Sequence, residues 1–234
     1  MTKADLILGD CLEKMKDIPD NSVDLVLTDP PYGLDIVKAD RIGYDGSSKT
    51  GVAGFGVVKN TLYEPSDWDK KIPSKEIFDE IFRVSKNQII FGGNYFIDYL
   101  NPTQCMLIWD KRCKNHYVNN FSDCEIAWTS FNKPARVFRH LWMGMLRDSE
   151  RAKHYHPTQK PVALMEWIIK NYSKDGELIL DPFMGSGSTG VAALKLQRRF
   201  IGIELDKNYF KIAKERIEKE SNQGRLGLFD TQWK

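Results

Sequence analysis

The sequence predicts an α/β protein with a mostly parallel, doubly wound sheet and helices on both faces. Apolar, β-rich runs alternate with segments of helical periodicity along the chain, which is the order typical of α/β folds. Near the C-terminus, GELILDPFMGSGSTGVAALKL indicates a strand, a glycine turn and a helix. No internal repeat or low-complexity segment interrupts the alternation.

Seven apolar runs are predicted to be strands, at residues 6–8, 23–28, 88–91, 106–109, 124–129, 178–180 and 200–203. Four segments are predicted to be helices, at residues 74–85, 161–172, 188–196 and 207–220. Pro161 suits a first helical position, because its missing N–H would be unpaired there anyway. Residues 33–60 hold six glycines and few apolar anchors, which predicts a mobile, functional loop.

Length and composition are those of one soluble domain, residues 1–234. Hydrophobic residues make up 41% and charged residues 28% of the chain. No apolar run approaches the ~18 residues of a membrane span and no signal peptide is visible, so we expect a cytoplasmic protein without a membrane partner. The four cysteines form no C-x-x-C pair and the histidines complete no zinc set, so we expect free thiols and no metal.

The formal net charge is only +2, but one segment of the chain carries an excess of positive charge. Residues 132–155 hold six Lys or Arg residues against two acids, while the rest of the chain is close to neutral. A polyanion responds to where charge lies rather than to its sum, so this segment is a candidate surface for such a partner.

The glycine turn after the strand at 178–180 is typical of a site for a nucleoside cofactor. Gly185, Gly187 and Gly190 permit a tight turn and a close approach of backbone to ligand. Glu204 lies nineteen residues past Gly185, where an acid can accept hydrogen bonds from both ribose hydroxyls. The spacing leaves open a nicotinamide dehydrogenase, another nucleoside-cofactor enzyme or a structural turn. Asp181 favours a ligand with a positive amino group, such as S-adenosylmethionine, over a pyrophosphate.

The tetrapeptide Asp29-Pro30-Pro31-Tyr32 directly follows the apolar run VDLVLT. Ligands gather at the carboxyl ends of strands in open α/β sheets. Two prolines stiffen the turn and leave carbonyls free to accept hydrogen bonds. The Asp29 carboxylate and the Pro30 carbonyl can hold both N–H bonds of an exocyclic amino group on a base. Tyr32 can stack on such a base once it is flipped out of a duplex. The alternative is a stiff turn with a surface aromatic.

DPPY at 29–32 followed by DPFMGSGSTG at 181–190 resembles the β-type amino-methyltransferases of DNA. The resemblance covers about residues 6–217 and implies a Rossmann-like methyltransferase fold. It implies transfer of a methyl group from S-adenosylmethionine to the exocyclic amino group of a flipped base. Asp29 at the first position of the tetrapeptide favours N6 of adenine as the target, because serine is more usual at this position in the cytosine-N4 relatives. The implied catalytic residues are Asp29, Pro30, Pro31 and Tyr32.

The resemblance also implies how the cofactor is held. Asp10 and Phe183 lie beside its adenine, and Glu204 binds its ribose. Asp181 lies near its amino group, and Lys160 with Thr158 meets its carboxylate. Asp10 alternatively caps a following helix, and Lys160 is alternatively a solvated cation. The predicted cofactor-binding residues are Asp10, Cys11, Asp29, His156, Thr158, Lys160, Asp181, Phe183, Gly185, Ser186, Gly187, Ser188, Thr189, Glu204 and Leu205.

Target recognition is expected from residues 132–155, a short insertion for this family. FGGN at 91–94 and DCEIAW at 123–128 resemble motifs that shape the target-base pocket. Glu125 receives no role, since it also suits a structural ion pair. Cations of the insertion would contact phosphates, or alternatively form a solvated loop. The predicted DNA-binding residues are Lys133, Arg136, Arg139, Arg147, Arg151 and Lys153.

The predicted partner is double-stranded DNA, and the resemblance adds a homodimer and a cognate restriction endonuclease. Cytosine-N4 methylation of DNA is the nearest alternative activity. An RNA or protein-glutamine methyltransferase is another, although the glutamine enzymes carry Asn where this chain has Asp29. A dehydrogenase leaves DPPY unexplained, and a non-catalytic DNA-binding module leaves the intact chemical residues unexplained.

Overall fold

The computed structural model describes residues 4–34, 71–113, 122–143, 146–150, 155 and 158–229, with side chains as far as residue 222. The chain divides into two compact units, residues 1–30 with 74–234 and residues 31–73. Of the second unit, residues 35–70 lie outside the described part, and with them most of the loop predicted at 33–60. The single domain and the mobile loop therefore stay predictions.

All described strands belong to the first unit. Eight of them form one sheet in the order β1-β10-β9-β2-β3-β5-β4-β6, and β7 pairs with β8 in a separate ribbon. The strands are β1 (Ala4–Leu8), β2 (Leu25–Thr28), β3 (Gln88–Phe91), β4 (Met106–Asp110), β5 (Cys124–Thr129), β6 (Arg136–Arg139), β7 (Trp142–Met143), β8 (Leu146–Arg147), β9 (Leu178–Asp181) and β10 (Arg199–Glu204).

The sheet is mostly parallel, as predicted. Only β5 runs against its neighbours, β3 and β4, while the other adjacent pairs are parallel. The central strands β2 and β3 are buried at every position. Strands buried on both faces have nearly continuous apolar sequences, which explains why sequence pattern located them well.

The described helices are α1 (Cys11–Met15), α2 (Lys75–Val84), α3 (Val162–Tyr172), α4 (Ser188–Lys195) and α5 (Lys207–Phe229). The four predicted helices are present, and α5 continues past the predicted end at 220. Helix α1 was not predicted, because five residues are too few to show a helical period. Pro161 is the N-cap of α3 with extended backbone, so its predicted place in the first turn was wrong by one residue. No helix in the described part of the chain is long and apolar enough to cross a membrane.

Helix α4 packs closely on its neighbours because residue 190 is glycine. A Cβ atom there would lie 2.5 Å from Cδ1 of Ile217 on α5 and 2.6 Å from Cε1 of Phe200 on β10. Phe200 is fully buried and Ile217 nearly so, so neither can move into solvent. Gly190 therefore sets the contact of α4 with the core, whereas its sequence context had suggested an approach to a ligand.

We expect Gly190→Ala to lower the free energy of unfolding by about 1–3 kcal/mol, the usual cost of overpacking a core. In a helix, alanine is otherwise more favourable than glycine by ~1 kcal/mol. A loss of stability would therefore come from the close contacts of the added Cβ atom. Urea denaturation measures the effect. Adding Ile217→Val removes Cδ1, so the double variant should lose less stability than the two single changes summed. A fully additive pair would contradict the packing argument.

Candidate active site

Four acidic side chains lie at one edge of the sheet. Asp181 and Glu204 end β9 and β10, Asp29 follows β2, and Asp10 follows β1 by two residues. These four strands are parallel, so their carboxyl ends meet at the edge where open α/β sheets bind ligands. The fold thus brings residues from both sequence motifs to a common edge.

Asp181 joins the two motifs through hydrogen bonds. Its Oδ1 accepts from Thr28 Oγ1 at 2.8 Å and from the Phe183 N–H at 3.2 Å, and its Oδ2 accepts from Thr189 Oγ1 at 2.7 Å. Thr28 immediately precedes Asp29, and Thr189 lies in the first turn of α4. Burial raises the pKa of Asp181 to about 6, although the threonine hydroxyls act to lower it.

Glu204 fixes the shape of the glycine turn. Its carboxylate accepts from the Gly185 N–H at 2.7 Å and from the Asp206 N–H at 2.8 Å. Gly185 and Gly187 have φ of 54° and 82°, a left-handed conformation that favours glycine. Burial raises the pKa of Glu204 above its ordinary value. Ser188 Oγ is buried at the start of α4 and has no hydrogen-bond partner among the described residues.

Asp10 caps helix α1, because its Oδ1 accepts a hydrogen bond from the Glu13 N–H at 3.1 Å. The capping alternative is confirmed, and a contact of Asp10 with adenine stays a prediction. Cys11 is buried beside it. Burial, helped by the charge of Asp10, raises the pKa of the Cys11 thiol to about 12, so the thiol is neutral at physiological pH.

Lys160 is buried between two carboxylates. Its ammonium donates a hydrogen bond to Asp29 Oδ2 and lies 3.0 Å from Glu125 Oε2, with only 7% of its side chain exposed. The ammonium also lies 5.3 Å from the centre of the Phe91 ring. The alternative that Lys160 is a solvated cation is therefore wrong. The predicted contact of Lys160 with the cofactor stays a prediction. Its two acidic partners were not predicted from the sequence.

The other predicted site residues differ in how deeply they are buried and in which compact unit they belong to. Pro30 is buried in the first unit, while Pro31 and Tyr32 are partly buried and belong to the second. His156 lies outside the described residues. Thr158 and Phe183 are partly buried, Ser186 is buried, and Leu205 is 69% exposed.

Sequence reasoning missed a cluster around Glu150 and Arg216. The guanidinium of Arg216 donates to the Ser186 carbonyl at 2.6 Å and to Glu150 Oε1 at 3.0 Å. Glu150 also accepts from Gln159 Nε2 and from the Val162 N–H, each at 2.8 Å. One carboxylate thus connects the glycine turn with the start of α3. The partners lie up to 66 residues apart, so no local pattern could reveal them.

Comparison with known proteins decides the family. The DNA methylase family (N6_N4_Mtase) matches residues 74–215, more than half of the chain. The chain belongs to this family. The resemblance carried by DPPY and the glycine turn is thereby confirmed.

Three curated relatives of this DNA methylase are type II methyltransferases. M.HinfI of Haemophilus influenzae is 29% identical over an alignment of 249 positions, which covers 91% of this chain and 67% of the relative. M2.DpnII of Streptococcus pneumoniae is 51% identical over 169 residues, which cover 72% of this chain. That match spans only 53% of M2.DpnII, about half its length. M2.LlaDCHI of Lactococcus lactis subsp. cremoris is 29% identical, with 94% of this chain and 91% of the relative covered.

Solved structures share the fold of this DNA methylase. The complex of M1.HpyAVI with SAM has a TM-score of 0.57 at 24% identity and covers 92% of this chain and 98% of its own. PvuII DNA methyltransferase, which is cytosine-N4-specific, has a TM-score of 0.58 at 16% identity and covers 95% and 93%. The predicted Rossmann-like methyltransferase fold is confirmed.

The predicted DNA-binding residues of this methylase do not share one face. Arg136 and Arg139 are exposed on β6 but are separated by three positions, so they project to opposite sides of the strand. Lys133 donates to the Asn171 carbonyl at 3.2 Å, and the Arg147 guanidinium lies 4.6 Å from the centre of the Trp142 ring. Arg151 and Lys153 lie outside the described residues. Phosphate contact stays a prediction for all six.

We expect Glu150→Gln to lower the free energy of unfolding by about 1–3 kcal/mol, because hydrogen bonds to a partly buried charged group are lost. Glutamine keeps the side-chain shape and the backbone conformation, whose φ is 51°. Thermal and urea denaturation measure the change. Glu166→Gln is the matched control: it breaks a half-exposed pair with Lys195 and should cost less than about 1 kcal/mol. Equal effects would show that the cluster is not a structural connection.

Proposed function

We propose that this chain transfers a methyl group from S-adenosylmethionine to N6 of an adenine flipped out of duplex DNA. The ion pair of Asp29 with the buried Lys160 carries the proposal. It favours an ionised, fixed acceptor immediately after β2. The preceding residue, Thr28, is hydrogen-bonded to Asp181 at the head of the glycine turn, so the acceptor lies next to the proposed cofactor site.

The residues around the glycine turn fit S-adenosylmethionine. Glu204 offers a carboxylate to ribose hydroxyls, and Asp181 offers one to a cationic amino group. The buried Ser188 hydroxyl, with no hydrogen-bond partner in the described part of the chain, suits a polar ligand because buried polar groups normally have partners. When bound, the cofactor supplies an electrophilic methyl carbon on a sulfonium.

Asp29 and Pro30 provide the chemistry at the target. The lone pair of an exocyclic amino group is delocalised into its ring, so the nitrogen is a poor nucleophile. The Asp29 carboxylate and the Pro30 carbonyl can accept its two N–H bonds and favour a tetrahedral nitrogen. Such a nitrogen has a localised lone pair. A strong base is unnecessary, because the nitrogen loses its proton after the methyl group is transferred.

The choice of adenine rests on Asp29 rather than on the fold. A cytosine-N4-specific enzyme has the same fold, so structural likeness does not distinguish the two bases. Digestion of methylated DNA to nucleosides, followed by mass spectrometry, decides between them. We expect N6-methyladenine. Finding only N4-methylcytosine would overturn the adenine assignment, and methyl incorporation into RNA or protein but not DNA would overturn the substrate class.

We also propose that the substrate is a duplex and that the protein acts as a homodimer beside a cognate restriction endonuclease. The type II relatives support this context. Light scattering with and without duplex DNA tests the dimer. A protein that stays monomeric during methylation would remove that part of the proposal.

We expect Asp29→Asn to slow methyl transfer at least about tenfold, because a hydrogen bond to a charged group is worth ~1.5–3 kcal/mol. Cofactor affinity, measured by calorimetry, should stay nearly unchanged, since Asp29 acts on the target amine. Asp20→Asn is the control, because Asp20 is an exposed acid paired with Arg83. Parallel loss of cofactor affinity and transfer would show that Asp29 has been given the wrong role.

Cofactor affinity should fall as pH drops through about 6, the pKa to which burial raises Asp181. Only the ionised carboxylate attracts a cationic amino group, so affinity is full above this pH and declines below it. Calorimetric titrations from pH 5 to 8 measure the profile. Asp181→Asn should bind weakly and lose the inflection near pH 6. The raised pKa of Glu204 adds a dependence of the same sign, which the variant retains.

A further inference from the structure

A row of four alternating charges runs along the edge of the sheet beside the tetrapeptide. Asp29 pairs with Lys160, Lys160 lies 3.0 Å from Glu125, and Glu125 accepts a hydrogen bond from Lys111 at 3.1 Å. Glu125 lies near the start of β5, opposite Trp109 of β4 in the register. Because β5 is antiparallel to β3, its first residues reach the edge where β2 and β3 end.

The two central groups of the row, Lys160 and Glu125, are kept ionised by their neighbours. Burial acts to lower the pKa of Lys160, but Asp29 and Glu125 hold it above the ordinary value. Burial likewise acts to raise the pKa of Glu125, but the two lysines hold it below the ordinary value. Burial alone would favour the neutral forms of Lys160 and Glu125, so the ion pairs are what keep these two groups charged.

The proposed reaction makes the balance of these charges important. The target nitrogen forms a bond to the methyl carbon and becomes positive, while the electron pair of the breaking carbon–sulfur bond goes to sulfur. The nitrogen then releases a proton. An uncompensated cation nearby would oppose that positive charge, and Lys160 directly contacts the acid that faces the nitrogen. Lys160 can hold Asp29 in place without opposing the reaction only if its own charge is balanced.

We propose that Glu125 is a positioning residue for methyl transfer, which balances the charge of Lys160 so that Asp29 is held in place yet stays electronegative toward the target amine. The inference rests on the proposed function. It assigns a role to a strand residue that does not touch the substrate. It also explains why two lysines at this edge each lie within 3.1 Å of the Glu125 carboxylate.

Glu125→Gln tests the role, because it removes one charge and keeps the shape. We expect single-turnover methyl transfer at saturating cofactor and DNA to slow at least about tenfold, the effect of one nearby charge at an effective dielectric of ~20. The calorimetric affinity for S-adenosylmethionine should remain close to that of the parent, and a cooperative thermal unfolding transition should show that the variant is still folded. Glu80→Gln is the matched control, since the Glu80 side chain is exposed to a similar extent and pairs with Arg83 on helix α2. It should leave the rate unchanged.

Adding Lys111→Met to Glu125→Gln separates charge balance from a purely structural role. The double variant restores the net charge of the row, so its transfer rate should recover at least about threefold relative to Glu125→Gln. A structural role predicts that losing a second partner makes the variant slower still. A rate for Glu125→Gln equal to the parent rate, or a double variant slower than the single one, would overturn the proposal.

Two further measurements separate a failure of the proposed role from other failures. If Glu125→Gln does not fold, the transfer rate of Glu125→Asp tests the role instead. A rate within about threefold of the parent supports charge balance, and a loss of about tenfold contradicts it. If the parent protein itself methylates no DNA, the proposed function fails rather than the role of Glu125.

Discussion

The carboxylate of Asp181 is the contact on which the geometry of the whole edge depends. It accepts hydrogen bonds from Thr28 at the end of β2 and from Thr189 in the first turn of α4. A carboxylate at 3% exposure is costly to bury and is tolerated because neighbouring donors satisfy it. The strand before the tetrapeptide and the helix after the glycine turn are thereby fixed to one side chain, although 153 residues separate Thr28 from Asp181.

The electrostatic potential at this edge of the sheet is negative because carboxylates are in excess there. Asp29, Asp181 and Glu204 lie at the ends of adjacent parallel strands, and Asp29 acts to raise the pKa of Asp181. The protein relieves part of this repulsion with Lys160, whose ammonium contacts Asp29. The remaining negative potential suits a cationic ligand. An anionic pyrophosphate would find the same edge unfavourable, which separates this turn from a dinucleotide site in physical terms.

Sequence predicted the parts of the fold that have a strong local pattern. Continuous apolar runs located β2, β3 and β9, and the glycine turn located the start of α4. Strand β6, with the sequence RVFR, was missed because an exposed edge strand shows no apolar run. Asp10 was anticipated as a cap because its partner is three residues away. The partners of Lys160 were not anticipated, since Asp29 lies 131 residues from it and the two meet only in the folded chain.

The glycine turn and Asp29 are connected by a second route that does not pass through Asp181. Ser186 accepts from Arg216, Arg216 pairs with Glu150, and Glu150 binds Gln159 and the Val162 N–H on either side of the lysine that holds Asp29. Two connections at different places restrict the position of the turn relative to Asp29 more than either one alone. Methyl transfer needs such restriction, because reacting atoms must lie about 3–3.5 Å apart in line for displacement.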